Sequence, residues 1–320
     1  MEWPTHGRDV FYNIPNTDQP VLSNWLRENP HRINLGSLGL SFADSGVTES
    51  DLGSASQDLD QWTGILTSSF RYAGEEVRVE TLVDPHSDSV VVTVKSDLLT
   101  DGELGLFLDF PYPTKEKFEA PLVGLFNQTT LHSTSLRTHE GGAEIRHVMD
   151  DTDYGVYLRW DGDAEVSGPE EGTHKYRLTT TEKVLRVTAS YGKKRSCKIP
   201  SVAKAKKNSE KWWREFWNKG AFVDLGASDS EEAEEIQRRT IQSLYLVAVN
   251  SASNLPPQGK SASSRGQFKC FCTNHCSSLQ NLVRRHIVNS PRPRSMVFAN
   301  SPGLVNNGWH GKFHVSQPLS

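Results

Sequence analysis

The side chains best suited to chemistry are crowded into one late string, CFCTNHC, where Cys270, Cys272 and Cys276 stand beside His275. Thiolates and imidazoles are zinc ligands, so a C-x-C-x2-H-C string raises a structural metal site. The spacing argues against it. Structural zinc sites pair a C-x2-4-C with a second ligand pair farther along, and no such pair follows closely here, although His286 is available. The string is therefore expected to be incidental, with no metal and no cofactor bound. Cys197 is the remaining cysteine, so the long first part of the chain is not a disulfide scaffold.

Other polar residues invite chemistry singly. Asp161 and Asp163 in WDGDAE could be a carboxylate pair, but their strand-to-turn context favours turn formers whose side chains bond the local backbone. His147, His174 and Arg146 fall on strand faces and are expected at the rim or toward solvent rather than as ligands. Asn127-Gln-Thr is an N-glycosylation sequon of near-chance frequency. Trp62, Phe70, Phe107, Phe110, Tyr157 and Trp160 are expected as sandwich core. An exposed aromatic cluster on a sheet face would instead mark a sugar-stacking platform.

The elements that must carry these residues are strands up to about residue 200. GILTSSFRY, VRVETLV, SVVVTVKSDL, LGLFLDFPYP, AEIRHVMD, YGVYLRWDGD, HKYRLTTT and KVLRVTASY alternate with period two between turns such as AGEE and DPHSD. Val90, Val92 and Val94 share one face. Many short strands without an intervening helical period predict antiparallel sheets packed face to face, over residues from about 60 to 195.

The period then changes. In KIPSVAKAKKNSEKWWREFWNKGAF, Ser201 suits an N-cap and Gly220 a C-terminal stop. Trp212, Trp213, Phe216 and Trp217 make a broad aromatic stripe on that helix, expected to pack at the junction between the sheets and the next helix. A second helix begins with Asp229 and Glu232 as a capping box and with EEAEE at the positive end of its dipole. Glu234–Arg238 and Glu235–Arg239 are i,i+4 pairs in the favourable order. Ile236, Thr240, Leu244 and Val247 repeat at helical spacing, with Ile241, Tyr245 and Ala248 beside them. Apolar character on both flanks predicts packing on two sides, as in a helical barrel, and NLPPQ stops the helix.

Composition excludes little but is informative. A chain of 320 residues, 36% hydrophobic, with a mean hydropathy of -0.54, is globular in composition and long enough for two ordinary domains. A net charge of -4 makes no electrostatic case for nucleic acid or acidic lipid. No apolar run approaches the roughly 20 residues that span a bilayer. No signal peptide is encoded as written, and localisation stays open.

Taken together, QRRTIQSLYLVAVNSASNLPPQ and GLVNNGWHGKFH resemble a fungal group of six-hairpin glycosidase-like proteins related to glycoside hydrolase family 65. WLRENPHRINLGSLGL, RVETLVDPHSDSVVVTVKSDL, GELGLFLDFPYPT, FEAPLVGLFN and KKNSEKWWREFWNKGAF agree with it. The resemblance implies an N-terminal antiparallel β-sandwich, a linker helix and an (α/α)6 barrel that holds the sugar cleft and catalytic acid. It divides the chain into a sandwich (1–200, its start incomplete), a linker helix (201–222), a first barrel helix (223–258), an aberrant insert (259–302) and a barrel stub (303–320).

Two departures matter for activity. About forty residues separate PPQ from GLVNNGW, resembling a retained intron read through in frame. After GKFH the family continues into a barrel helix with an acidic residue, whereas Ser316 stands about there. Glycosidic cleavage needs a proton donor at the leaving oxygen and a second group that activates water or phosphate. The catalytic glutamate the resemblance implies is absent, so no catalytic residue is named. The expectation is a fragment of a glycoside hydrolase-like protein whose complete form takes a carbohydrate substrate, itself inactive. The alternative is a carbohydrate-binding or scaffold sandwich without catalysis.

Overall fold

The computed structural model describes residues 2–11, 18–28, 32–114, 124–193, 199–220, 224–225, 227–228, 230–251 and 312–318. Strands β1 (Glu2–Thr5) and β2 (Arg8–Phe11) form a hairpin, followed by helix α1 (Pro20–Glu28). Twelve strands come next: β3 (Arg32–Phe42), β4 (Gly53–Asp60), β5 (Ile65–Tyr72), β6 (Glu75–Asp84), β7 (Ser89–Lys95), β8 (Leu104–Asp109), β9 (His132–His139), β10 (Gly142–Met149), β11 (Thr152–Asp161), β12 (Ala164–Ser167), β13 (Lys175–Thr180) and β14 (Val184–Gly192). Helices α2 (Val202–Lys219) and α3 (Glu231–Ser251) and strand β15 (Lys312–Pro318) complete the described elements.

The strands make two antiparallel sheets, ordered β4-β5-β6-β7-β14-β11-β10-β9 and β12-β13-β8-β3-β15. Their inner faces meet in one core. Val90, Val92 and Val94 of β7, Leu104, Leu106 and Leu108 of β8, Val156 and Leu158 of β11 and Leu185, Val187 and Ala189 of β14 all belong to it. The expected antiparallel sandwich is the fold observed, and the alternating runs supply its inner face because successive side chains point to opposite sides. Local chemistry agrees: Ala73 and Gly74, both at positive φ, close the two-residue turn between β5 and β6.

The strands β3 and β4 carry no alternation in their sequence. In β3, Gly36, Ser37, Gly39 and Ser41 interrupt the apolar pattern, yet Ile33 to Gly39 are buried because β8 and β15 flank the strand and its inner face meets the core. By contrast β4, GSASQDLD, is almost wholly exposed at the outer edge of the large sheet and carries no apolar face to detect. The segment expected as a barrel stub is extended over Lys312–Pro318, antiparallel to β3 with a bulge between Val315 and Ser316. A strand edge offers unpaired N–H and C=O groups, which an extended segment satisfies.

The large sheet is buried on its outer face too, beneath α2. Ala205 and Val202 pack on Leu82, Val91 and Ile65, which makes β7 apolar on both sides. Arg159 Nη1 donates to Ile199 O at 3.2 Å, tying the entry of the helix to β11. Ser201 caps α2 by accepting from Lys204 N, and Gly220 closes it. In α3, Ser230 O accepts from Ala233 N and Glu234 N, and its hydroxyl donates to Glu232. The cap therefore centres on Ser230; Asp229 lies outside the described residues. Glu235 holds both Arg238 and Arg239, at 2.6 Å each, so the expected Glu234–Arg238 pair is replaced by an i,i+3 contact.

Candidate functional site

Most residues singled out in the sequence are structural. Asp163 N donates to Glu182 Oε1 at 3.1 Å and its carboxylate accepts from Thr181 Oγ1, so it belongs to the β11–β12 turn. Arg146 faces solvent and pairs with Asp153 at 2.5 Å. Asn127 is exposed in a turn. Phe70, Phe110 and Trp160 lie in the core and Phe107 and Tyr157 are buried, whereas Trp62 alone of the six is exposed, at 50%. These six residues form no exposed aromatic platform. Cys197, Cys270, Cys272, Cys276, His275 and His286 lie outside the described residues. Among the described residues no group of three His, Cys, Asp or Glu is placed to hold a metal ion.

His147 corrects the expectation of a rim residue: it is 0% exposed, and His174 is half-buried. The pleat turns His147 of β10 inward, where it meets His132 of β9 and Tyr154 of β11. Leu35 O can only accept, so the Tyr154 hydroxyl donates to it at 2.6 Å and itself accepts from His147 Nδ1 at 2.8 Å. His147 Nε2 then accepts from His132 Nδ1 at 2.7 Å. His174 packs against His132 at a tilt of 45° with centroids 3.9 Å apart and is fixed by Thr129 O and Thr134 Oγ1, both at 2.9 Å. Burial lowers His132 to about 4 and His147 to about 3, helped by the neighbouring imidazoles. The network is neutral and directional. It was invisible in sequence because its three histidines sit on different strands and turns.

One carboxyl moves the other way. Asp88, in the β6–β7 turn, is raised to about 6 by burial. The neighbouring Asp84 instead accepts from Asn208 Nδ2 of α2 at 2.7 Å and from Ser87 Oγ at 2.6 Å.

The aromatic stripe of α2 does what its spacing suggested. Trp213 is buried, stacks on Tyr245 of α3 with centroids 4.6 Å apart, and closes against Gly64. Trp217 Nε1 donates to Gln61 O and Ser209 Oγ to Thr63 O, each at 2.7 Å. Ala248 and Val249 complete the cluster, with Trp212, Phe216 and Leu246 partly buried around it. Only one flank of α3 is covered by the described residues: Ile236 is 55% and Val247 50% exposed.

A cleft of about 340 Å³ opens beside the small sheet. The end of β3 and the segment Ala43–Leu52 line it with Phe107 of β8, Lys175 and Arg177 of β13, and Glu170. The segment is held locally. Asp44 Oδ1 accepts from Gly46 N at 2.7 Å, and Asp51 Oδ2 accepts from Thr48 N and Oγ1 at 2.7 and 2.8 Å. Those bonds from Thr48 lower the Asp51 carboxyl. Arg177 Nη2 donates to Gly102 O at 2.7 Å, and Lys175 pairs with Glu170 at 3.4 Å while lying 5.4 Å above the Phe107 ring. Two buried side-chain atoms of this lining, Glu49 Oε1 and Arg177 Nε, have no hydrogen-bond partner among the described residues.

No family model matches the sequence, and no curated protein does. Two solved structures are similar at low identity. A protein assigned as a kojibiose phosphorylase from the human microbiome is 11% identical, with a TM-score of 0.41 over 71% of this chain and 34% of that one. A bacterial glucoamylase in complex with acarbose is 9% identical, with a TM-score of 0.33 over 69% of this chain and 32% of the other. The chain spans about a third of the length of each.

Proposed function

We propose that the chain is part of a glycoside-active protein of the six-hairpin type, in which the sandwich is the platform on which a helical barrel is built. The observation that supports this reading most is the helix pair. The helix α2 is laid on the outer face of the large sheet, and its aromatic stripe receives α3, whose opposite flank presents Ile236 and Val247. A surface helix ordinarily keeps one polar face. Apolar residues on a second flank suit a helix with a further helical neighbour, as the sequence resemblance implies. In this reading residues 1–200 are the sandwich domain, 201–222 the linker helix, 223–258 the first barrel helix and 259–302 an insert, while Lys312–Pro318 of the expected barrel stub (303–320) pairs with β3 of the sandwich.

The same reading makes the 320-residue chain a non-catalytic platform. Its carbohydrate substrate, whether split by water or by phosphate, would be held by groups contributed from several barrel hairpins. The alternative of a sugar-binding sandwich built on aromatic stacking loses support, since Phe70, Phe107, Phe110, Tyr157 and Trp160 are buried. The test is to assay this chain, and a form carrying a whole barrel, against disaccharides and aryl glycosides with and without phosphate. The expected result is no turnover by the chain and turnover by the longer form. Turnover by the chain alone would overturn the platform reading, and none by either would overturn the enzyme reading.

A further inference from the structure

The sequon Asn127-Gln128-Thr129 takes its meaning from where the fold puts it. Its turn is anchored on both sides. Leu125 exchanges two backbone bonds with Tyr112, at 3.2 and 2.8 Å, and Thr129 O accepts from His174 Nε2 at 2.9 Å. Between these anchors Gln128 N donates to Leu125 O at 3.4 Å and Leu131 N to Gln128 O at 3.2 Å, and Asn127 stands exposed. The middle residue is not proline, and Thr129 supplies the hydroxyl that the sequon requires. A bulky polar group on the Asn127 amide is therefore carried in solvent, as a surface glycan must be, and displaces none of these contacts.

The surface around this turn has a use for such a group. Leu125 is 38% and Leu131 51% exposed, on either side of the sequon. The chain then enters β9, one of the two outer strands of the large sheet. The other, β4, is guarded: a bulge between Gly53 and Ser56 breaks its register, and Asp58 and Asp60 charge it. By contrast β9 pairs with β10 over eight consecutive residues without a bulge, and Arg137 is its one Lys, Arg, Asp or Glu side chain. An unbulged, weakly charged edge invites pairing with another chain. We infer that Asn127 is the acceptor of an N-linked oligosaccharide, which shields Leu125, Leu131 and the adjoining start of β9 from a second chain. In the transfer, Asn127 Nδ2 displaces the pyrophosphate of a polyprenol-linked oligosaccharide at the anomeric carbon of its first sugar. The C–N bond forms, the C–O bond to pyrophosphate breaks, and one amide proton passes to a base of the transferase. The inference stands on this turn and edge alone and does not require the platform reading.

The experiment expresses the 320-residue chain behind a cleavable secretory leader in a eukaryotic host. Trypsin releases residues 118–137 as one peptide, in which Asn127 is the only asparagine. Amidase removal of an N-linked glycan turns an occupied Asn127 into aspartate, which mass spectrometry of that peptide reads. Most molecules that have shed the leader are expected to carry the glycan. It is expected to be lost in Asn127→Gln and in Thr129→Ala and kept in Thr129→Ser. An unmodified Asn127 in chain that has shed its leader, or a glycan that persists in Thr129→Ala, would overturn the inference. The peptide reading in the parent chain does not depend on any variant folding. The shielding is read separately, in the Ile236→Lys, Val247→Lys background that removes the exposed flank of α3. Enzymatic trimming of the glycan from that folded protein is expected to raise self-association at least twofold in sedimentation. Unchanged association after complete trimming would overturn the shielding role.

Discussion

At Gly64 a single hydrogen in place of a side chain lets Trp213 close on the β4–β5 turn. A Cβ there would stand 2.0 Å from Trp213 Nε1, and φ is +71°. Gly64→Ala is therefore expected to destabilise the fold by about 2–4 kcal/mol, combining overpacking with left-handed strain. Urea denaturation checks it; a change below about 0.5 kcal/mol would mean the turn yields freely. Titration makes the second residue-scale prediction. His132 and His147 have folded values of about 4 and about 3, below the unfolded value of about 6.5, so their contribution is complete above pH 6.5 and is lost as pH falls toward 3. Asp88, raised to about 6, acts oppositely between about pH 4 and 6. Near pH 5 the unfolded chain thus binds about one more proton from these three groups, a loss of about 1.4 kcal/mol per pH unit of acidification. Denaturation curves at pH 7, 6 and 5 read it. In His147→Gln the slope is expected to flatten, whereas an unchanged slope would exclude the network as its source.

At the scale of elements, α2 joins the sandwich to α3. Its Ala205 side rests on Leu82 and Val91, and its Trp213 side receives Tyr245. Trp213→Ala is expected to cost about 3–5 kcal/mol, the range for emptying a large aromatic site. The loss should be seen first as release of α3, in hydrogen exchange of Glu231–Ser251 amides, while β7 and β14 stay protected. Uniform loss of protection would show that sandwich and helices unfold as one unit. The outer flank of α3 predicts the opposite behaviour. Ile236→Lys with Val247→Lys removes two exposed apolar side chains without touching the Trp213 cluster. Sedimentation should then show less self-association at unchanged melting temperature; unchanged association would place the sticky surface elsewhere.

At the scale of the molecule, the class of fold was legible in the pattern of residues. Period-two alternation in β5 to β8, β10, β11, β13 and β14 follows from the pleat, and the caps Ser201 and Gly220 follow from orphan backbone groups at helix ends. The aromatic stripe of α2 was equally legible, because residues four apart share a helix face. What the sequence left undecided were the features made by juxtaposing distant segments. β3, β4, β9 and β12 were not read as strands; β3 is flanked by strands and pressed on the core while β4 is a solvated edge, and neither state leaves an alternating trace. The pairing of β15 with β3 joins the last and first strands of the small sheet in chain order, and it depends on edge groups that carry no side-chain signature. The histidine network joins residues 132, 147 and 174 with Tyr154 and Leu35, and the cleft joins Glu49 to Arg177. Spacing along the chain encodes only local geometry. Burial, tautomer and the orphaning of a polar atom are settled by which neighbours the tertiary fold brings within about 3 Å.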